Sequence, residues 1–199
     1  VSNLVHRLAK LSPAKRRLLE ERLAERAARG ADTLRPRPPE TDLLPLSSVQ
    51  ERFWFLDRLS SESAASAILS AVRLRGRLDV AALERSVEEI VRRHETLRTV
   101  FRTTDHQPRQ IVLPPRPVPV LEVDLTVLPS GRRAAEVERV AALLTRRRFD
   151  LATGPLIRVT LVRLRTDEHV FLRAVHHIVT DGWSDAIFFR ELVALYGAF

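Results

Sequence analysis

Pro36, Pro38 and Pro39 stand close together in the stretch from Leu34 to Glu40. Proline fixes φ and lacks a backbone N–H, so neither a helix nor a paired inner strand can run through such a cluster. Residues 33–40 are therefore expected to form an extended, proline-rich linker, with separate folded pieces on either side. In the piece before it, Leu4, Val5, Leu8 and Leu11 follow helical spacing, and Ser12 and Pro13 supply an N-cap and a first-turn proline. Leu18, Leu19 and Leu23 supply the apolar stripe of a second short helix, which Gly30 is placed to stop. Residues 1–32 are thus expected to be a small helical hairpin serving as a docking or linker segment.

The remaining residues, 41–199, alternate between strand-like and helix-like patterns. Ile68–Arg75 reads as a strand, and Asp79 is placed to cap a helix whose Leu83, Val87, Ile90 and Val91 form one apolar face. Thr99–Arg102 and Gln110–Leu113 flank a turn at Asp105–Pro108, and Val118–Leu125 is another strand. A helix is expected from about residue 131 to residue 147, with Val137, Val140, Ala141 and Leu144 inward. Leu156–Leu164 and His169–Val175 then read as a hairpin around a polar turn. A final helix begins after Gly182 and carries Ile187, Leu192 and Leu195. Helices mixed with mainly antiparallel strands indicate an α+β layer architecture.

Composition narrows the function classes. With 199 residues, 45% of them hydrophobic, the chain can bury a core without covalent staples, and it has no cysteine for disulfides or thiolate metal sites. No apolar run approaches the roughly 20 residues of a bilayer span. The N-terminus also lacks the order of a secretory signal, so a soluble cytoplasmic protein with no membrane partner is expected. The formal charge of +8 raises nucleic-acid binding. The arginines are dispersed, however, and the denser runs at Arg132, Arg133 and Arg146 to Arg148 are not interleaved with aromatic residues for base stacking. No nucleic-acid-binding motif accompanies them, and no nucleic-acid partner is expected.

The segment richest in chemistry is His176-His177-Ile178-Val179-Thr180-Asp181-Gly182-Trp183-Ser184, at a strand-to-helix junction. Adjacent strand residues point to opposite faces, so if the strand continues through this pair only one of the two histidines can face a given cleft. An imidazole, whose ordinary pKa lies near 6.5, suits proton transfer from an amine or support of a developing ammonium at neutral pH. A carboxylate four residues on can fix the loop, and a glycine beside it allows close approach and a free N–H for an oxyanion. The bland alternative for a lone strand histidine is a satisfied core residue. A metal site from His177, Asp181 and His169 lacks the paired histidines or cysteines of a recognisable zinc site, and no metal is expected.

These residues resemble the signature shared by condensation domains of nonribosomal peptide synthetases, chloramphenicol acetyltransferase and dihydrolipoyl acyltransferases. The Trp183-Ser184 continuation is similar to that of condensation domains. Ser47, Gln50, Arg52, Trp54 and Leu56 resemble the family's first core motif. Arg93, His94, Glu95, Leu97, Arg98, Thr99 and Phe101 resemble the second, and Phe149, Asp150, Gly154, Pro155, Leu156 and Arg158 resemble the run that precedes the histidine hairpin. The resemblance covers residues 41–199.

It implies the N-terminal, chloramphenicol-acetyltransferase-like subdomain of a condensation domain, a two-layer α+β half domain of the subclass that joins an L-configured donor to an L-configured acceptor. Donor and acceptor peptidyl carrier domains would present substrates on 4'-phosphopantetheine arms, with no cofactor bound directly. By the resemblance His177 is the active-site residue and His176 is structural. Asp181 holds the loop through an ion pair for which Arg98 is the expected partner. Gly182 offers its N–H, Trp183 and Ser184 shape the site, and Arg52 and Trp54 support it. Phe53, Trp54 and Phe55 are expected in core and inter-subdomain packing. Further partners implied are a C-terminal condensation subdomain and, through residues 1–32, an upstream synthetase subunit. Two other readings stay open: a noncatalytic docking fragment, and a trimeric CoA-type acyltransferase with its site between subunits.

Overall fold

A computed structural model describes residues 43–59 and 66–199 and, ahead of them, Arg17 alone, which is helical. The expected helical hairpin and proline linker otherwise lie outside the described residues. The chain divides into two units, Val1–Thr41 and Asp42–Phe199, and the second holds every strand and helix named below.

Its elements in order are strand β1 (Leu43–Pro45), helix α1 (Ser48–Leu59), β2 (Ala67–Arg75), α2 (Val80–Arg93) and a 3-10 turn at Glu95–Arg98. These lead into β3 (Thr99–Thr104), β4 (Gln107–Val112), β5 (Val120–Asp124) and α3 (Ser130–Arg146). The last elements are β6 (Ile157–Arg165), β7 (Glu168–His176), a 3-10 turn at His177–Val179 and α4 (Gly182–Tyr196). The α+β expectation holds. Four strands in the order β2-β7-β6-β5 make the main sheet, and β1-β4-β3 make a small antiparallel one.

Strand β7 is central because all but the first of its nine residues are buried. Its Val170 and Leu172 join Val162 and Leu164 of β6 under the partly buried Val137, Val140, Ala141 and Leu144 of α3. Phe171 and Val175 pack instead with Leu83, Val87, Ile90 and Val91 of α2 and with Phe188 and Leu192 of α4. Strand alternation thus divides the core between the two faces of the sheet. The strand β5 departs from the antiparallel pattern: it pairs with β6 in parallel. The physical reason is α3, which lies between them in sequence and carries the chain back to the same end of the sheet.

Local signals explain the element ends. Asp79 caps α2, its carboxylate accepting from the Ala82 N–H at 3.0 Å. The β3–β4 turn is tighter than the sequence pattern implies. Asp105 and His106 sit at φ 50 and 62, and Gln107 and Pro108 already belong to the ladder. Two residues at positive φ give a turn whose twist suits a two-residue hairpin. Helix α1 is not legible from apolar periodicity, but Ser47 and Gln50 start it with a reciprocal capping box: Gln50 N–H to Ser47 Oγ at 3.2 Å, Ser47 N–H to Gln50 Oε1 at 2.9 Å. Among the described residues no helix is long and apolar enough to cross a membrane.

Candidate active site

The site forms where β7 stops. Backbone pairing carries β7 through His176, opposite Ala67 of β2, and the chain then tightens into the 3-10 turn beginning at His177. The two imidazoles part there: His176 is 0% exposed, while His177 lies at the surface.

His176 Nδ1 accepts the Ile178 N–H at 3.1 Å, which in a neutral imidazole places the proton on Nε2. That Nε2 has no hydrogen-bond partner among the described residues. Burial pushes the His176 pKa down to about 4, with the Asp57 carboxylate opposing and His177 adding to the shift. The ring packs edge-on to Phe149, with centroids 6.0 Å apart. His176 is therefore a neutral, buried pivot of the loop.

His177 is held from α1. The Phe53 ring stacks on it at 4.7 Å between centroids and 22° between planes. One turn earlier, the Gln50 amide donates to the Ile178 carbonyl at 3.4 Å and to Gln110 Oε1 at 3.0 Å. One turn later, the buried Asp57 accepts from Arg148 at 3.0 Å. Gln50, Phe53 and Asp57 lie three and four residues apart, so they share one helix face. The first motif thus serves as a brace across the histidine turn. Trp54 is half-buried against the main core, with the Arg58 guanidinium 4.7 Å over its ring. Arg52 is exposed, and Phe55, expected in packing, is 57% exposed.

Asp181 departs from its expected role. Its Oδ1 accepts from the Ser184 N–H at 2.8 Å and the Ser184 hydroxyl at 2.7 Å, which makes it the N-cap of α4. The Ser184 hydroxyl and N–H hold its carboxyl below the usual range. Arg98 is not its partner. Arg98 donates to the Leu113 carbonyl at 2.7 Å and pairs with Glu95 at 3.4 Å. The physical reason is local: the helix-starting carboxylate is already taken by the amide and hydroxyl three residues on, as helix capping favours.

Gly182 opens α4, and a Cβ there would meet nothing within 4 Å, so its backbone is accessible without being strained. Trp183 projects outward at 79% exposure, and Ser184 serves the cap. A cleft of about 90 Å³ borders the loop through Thr180 and Ser184, with His94 and Arg173 also in its wall. His169 is buried within β7. Among the described residues no group of three His, Asp or Glu side chains could hold a metal ion.

The run before the hairpin supports the same region. Arg158 donates to the Arg148 carbonyl at 2.6 Å and to the carbonyls of Leu144 and Arg147 at the C-terminal end of α3, and its Cζ lies 3.7 Å over Phe149. Phe149 in turn abuts His176.

A family model described as Condensation domain matches residues 40–199. Chondramide synthase cmdD of Chondromyces crocatus is 45% identical over 165 residues, which are 82% of this chain and 4% of that protein. Phosphinothricin tripeptide synthetase PhsC of Streptomyces viridochromogenes is 40% identical over 199 residues, 100% of this chain and 18% of that protein. Among solved structures, the first condensation domain of the CDA synthetase superposes with a TM-score of 0.73 at 26% identity. That match covers 80% of this chain and 41% of that one. The chain thus spans a small part of these synthetases and less than half of a solved condensation domain, and it belongs to the condensation domain family.

Proposed function

We propose that this chain is the histidine-bearing N-terminal part of a condensation domain that forms peptide bonds in nonribosomal peptide synthesis. The observation that carries the reading is the pair of opposed histidines at the end of β7, one buried and neutral, the other at the surface and stacked on Phe53. In this reading a donor carrier presents an aminoacyl or peptidyl thioester and an acceptor carrier presents an aminoacyl amine, each on a 4'-phosphopantetheine arm. The amine nitrogen attacks the thioester carbonyl, the C–S bond breaks, and the donor arm leaves as its thiol. The amine loses one proton as the amide forms, and the leaving sulfur gains one.

His177 orients the attacking amine and passes that proton, a role suited to an imidazole at neutral pH. Asp181 and Ser184 fix the start of α4, so the first amides of that helix, including Gly182 N–H, face developing negative charge. A C-terminal subdomain completes the site, and residues 1–32 dock an upstream synthetase subunit. The substrates are of the L-to-L subclass, and the setting is the cytoplasm.

The test is amide formation from loaded donor and acceptor carriers, with the full chain supplied with and without a separately expressed C-terminal half. Product that requires both His177 and the added half supports the reading. Product unaffected by His177→Ala, or none from a folded sample in any combination, turns it toward a noncatalytic docking piece.

A further inference from the structure

The loop bearing His177 rests on a buried charge that the proposed chemistry does not use. Arg173 stands on β7 three residues before His176 and is 1% exposed, the largest of the fully buried side chains. Its guanidinium pairs with Asp185 in the first turn of α4, whose side chain is 32% exposed. Ser70 of β2, directly opposite Arg173 in the ladder, donates its hydroxyl to the same Asp185 Oδ1 at 2.8 Å. The Arg173 Cζ lies 4.3 Å from the Phe188 ring centroid and 5.3 Å from that of Phe189. Its Nε has no hydrogen-bond partner among the described residues.

Burying a guanidinium is costly, and a well-packed apolar pair in its place is commonly as stable or more so. Stability alone therefore gives this ion pair little reason to be there. Its position gives a better one. Arg173 and Asp185 stand at the two ends of the segment that contains His176, His177 and Asp181, so their bond closes that segment into a loop. Asp181 holds only the inside of the helix start, whereas the Arg173 bond ties the helix to the strand.

We propose that Arg173 and Asp185 are positioning residues for His177, fixing the angle at which α4 leaves β7 and hence the place of the imidazole against Phe53. Its relevance to turnover rests on the reading of His177 as the active-site residue; the placement itself is open to test without activity. The ring protons of His177 lie over Phe53 and report the stacking by NMR in the intact chain.

Two variants are compared with wild type: Asp185→Asn, which keeps the shape at a partly exposed site, and Arg173→Met/Asp185→Leu, which replaces the charged pair by an apolar one. The expected result is a downfield move of the His177 ring protons toward unstacked values in both variants. The double variant is expected to melt close to wild type while kcat for amide formation, measured with the added C-terminal half, falls about tenfold or more at unchanged KM. His177 resonances that stay at the wild-type position in Asp185→Asn overturn the inference, whatever the assay gives. Should ring displacement occur while His177→Ala leaves product unchanged, the positioning stands and the proposed catalytic role fails.

Discussion

Phe53 and His177 stack ring on ring, 4.7 Å between centroids, although one belongs to a helix near the start of the described fold and the other to the turn after its central strand. An exposed imidazole would otherwise exchange among rotamers, and the phenyl face removes that freedom. Phe53→Ala is expected to lower amide formation about tenfold through lost orientation and to cost about 1 kcal/mol of stability. Phe53→Tyr should preserve both. Turnover in Phe53→Ala equal to wild type would show that the stacking does not serve the reaction.

Stability should fall on mild acidification because of His176. Its folded pKa is pushed to about 4 against an ordinary 6.5, so between these values the unfolded chain takes up a proton that the folded chain refuses. The stabilisation of the neutral ring is therefore present above about pH 6.5 and lost as pH falls toward 4, by about 2 kcal/mol at about pH 5. His169, also pushed down by burial and by Arg163, adds to the loss with the same sign. Urea unfolding at about pH 7 and about pH 5 should give a smaller difference in His176→Gln than in wild type. An equal difference in the two proteins would mean that His176 is not the source.

Asp181 and Arg98 should behave as independent residues. Asp181→Ala removes the cap of α4 and is expected to cost about 1 kcal/mol, while Arg98→Ala loses its bonds to Leu113 and Glu95. Their effects in the double variant should add to within about 0.5 kcal/mol. A coupling energy well above that, measured by denaturant unfolding, would make them partners after all.

Arg158 should matter for stability more than its distance from the histidines suggests. One planar guanidinium reaches carbonyls of Leu144, Arg147 and Arg148 and lies on Phe149, a geometry a single ammonium cannot copy. Arg158→Lys is expected to lower stability by about 1–2 kcal/mol, read as a fall in Tm. A Tm unchanged by Arg158→Lys would show that the bonding to the end of α3 is dispensable.

Gly154 is tied to its conformation by two constraints. It sits at φ 62, and a Cβ would stand 3.2 Å from Val100 Cγ1. Gly154→Ala should therefore destabilise by about 1–2 kcal/mol, which thermal unfolding would detect. A variant as stable as wild type would mean that the turn relaxes at no cost.

Much of this fold is legible because it is encoded locally. The apolar face of α2 and its Asp79 cap, the inward stripe of α3 and the β6–β7 hairpin all arise from residues within one or two turns of each other. The histidine motif is equally legible, since His176, His177, Asp181 and Gly182 are neighbours in sequence, although the two imidazoles part because β7 ends at His176 and a 3-10 turn begins at His177. The Ser47–Gln50 capping box is also present as a signal for α1, but the helix it opens lacks a clean apolar period.

What the sequence by itself determined is therefore most of the elements, though not β1 or α1, together with the motif and the family resemblance, all carried by short-range pattern. Tertiary structure alone decided that β5 runs parallel to β6, that Phe53 rather than Trp54 meets His177, that Arg98 turns to Leu113 instead of Asp181, and that Arg173 finds Asp185. Each of these depends on which distant segments the shared core brings within a few ångströms. Hydrophobic burial is nondirectional, so apolar spacing specifies that a face is covered without naming the side chain that covers it.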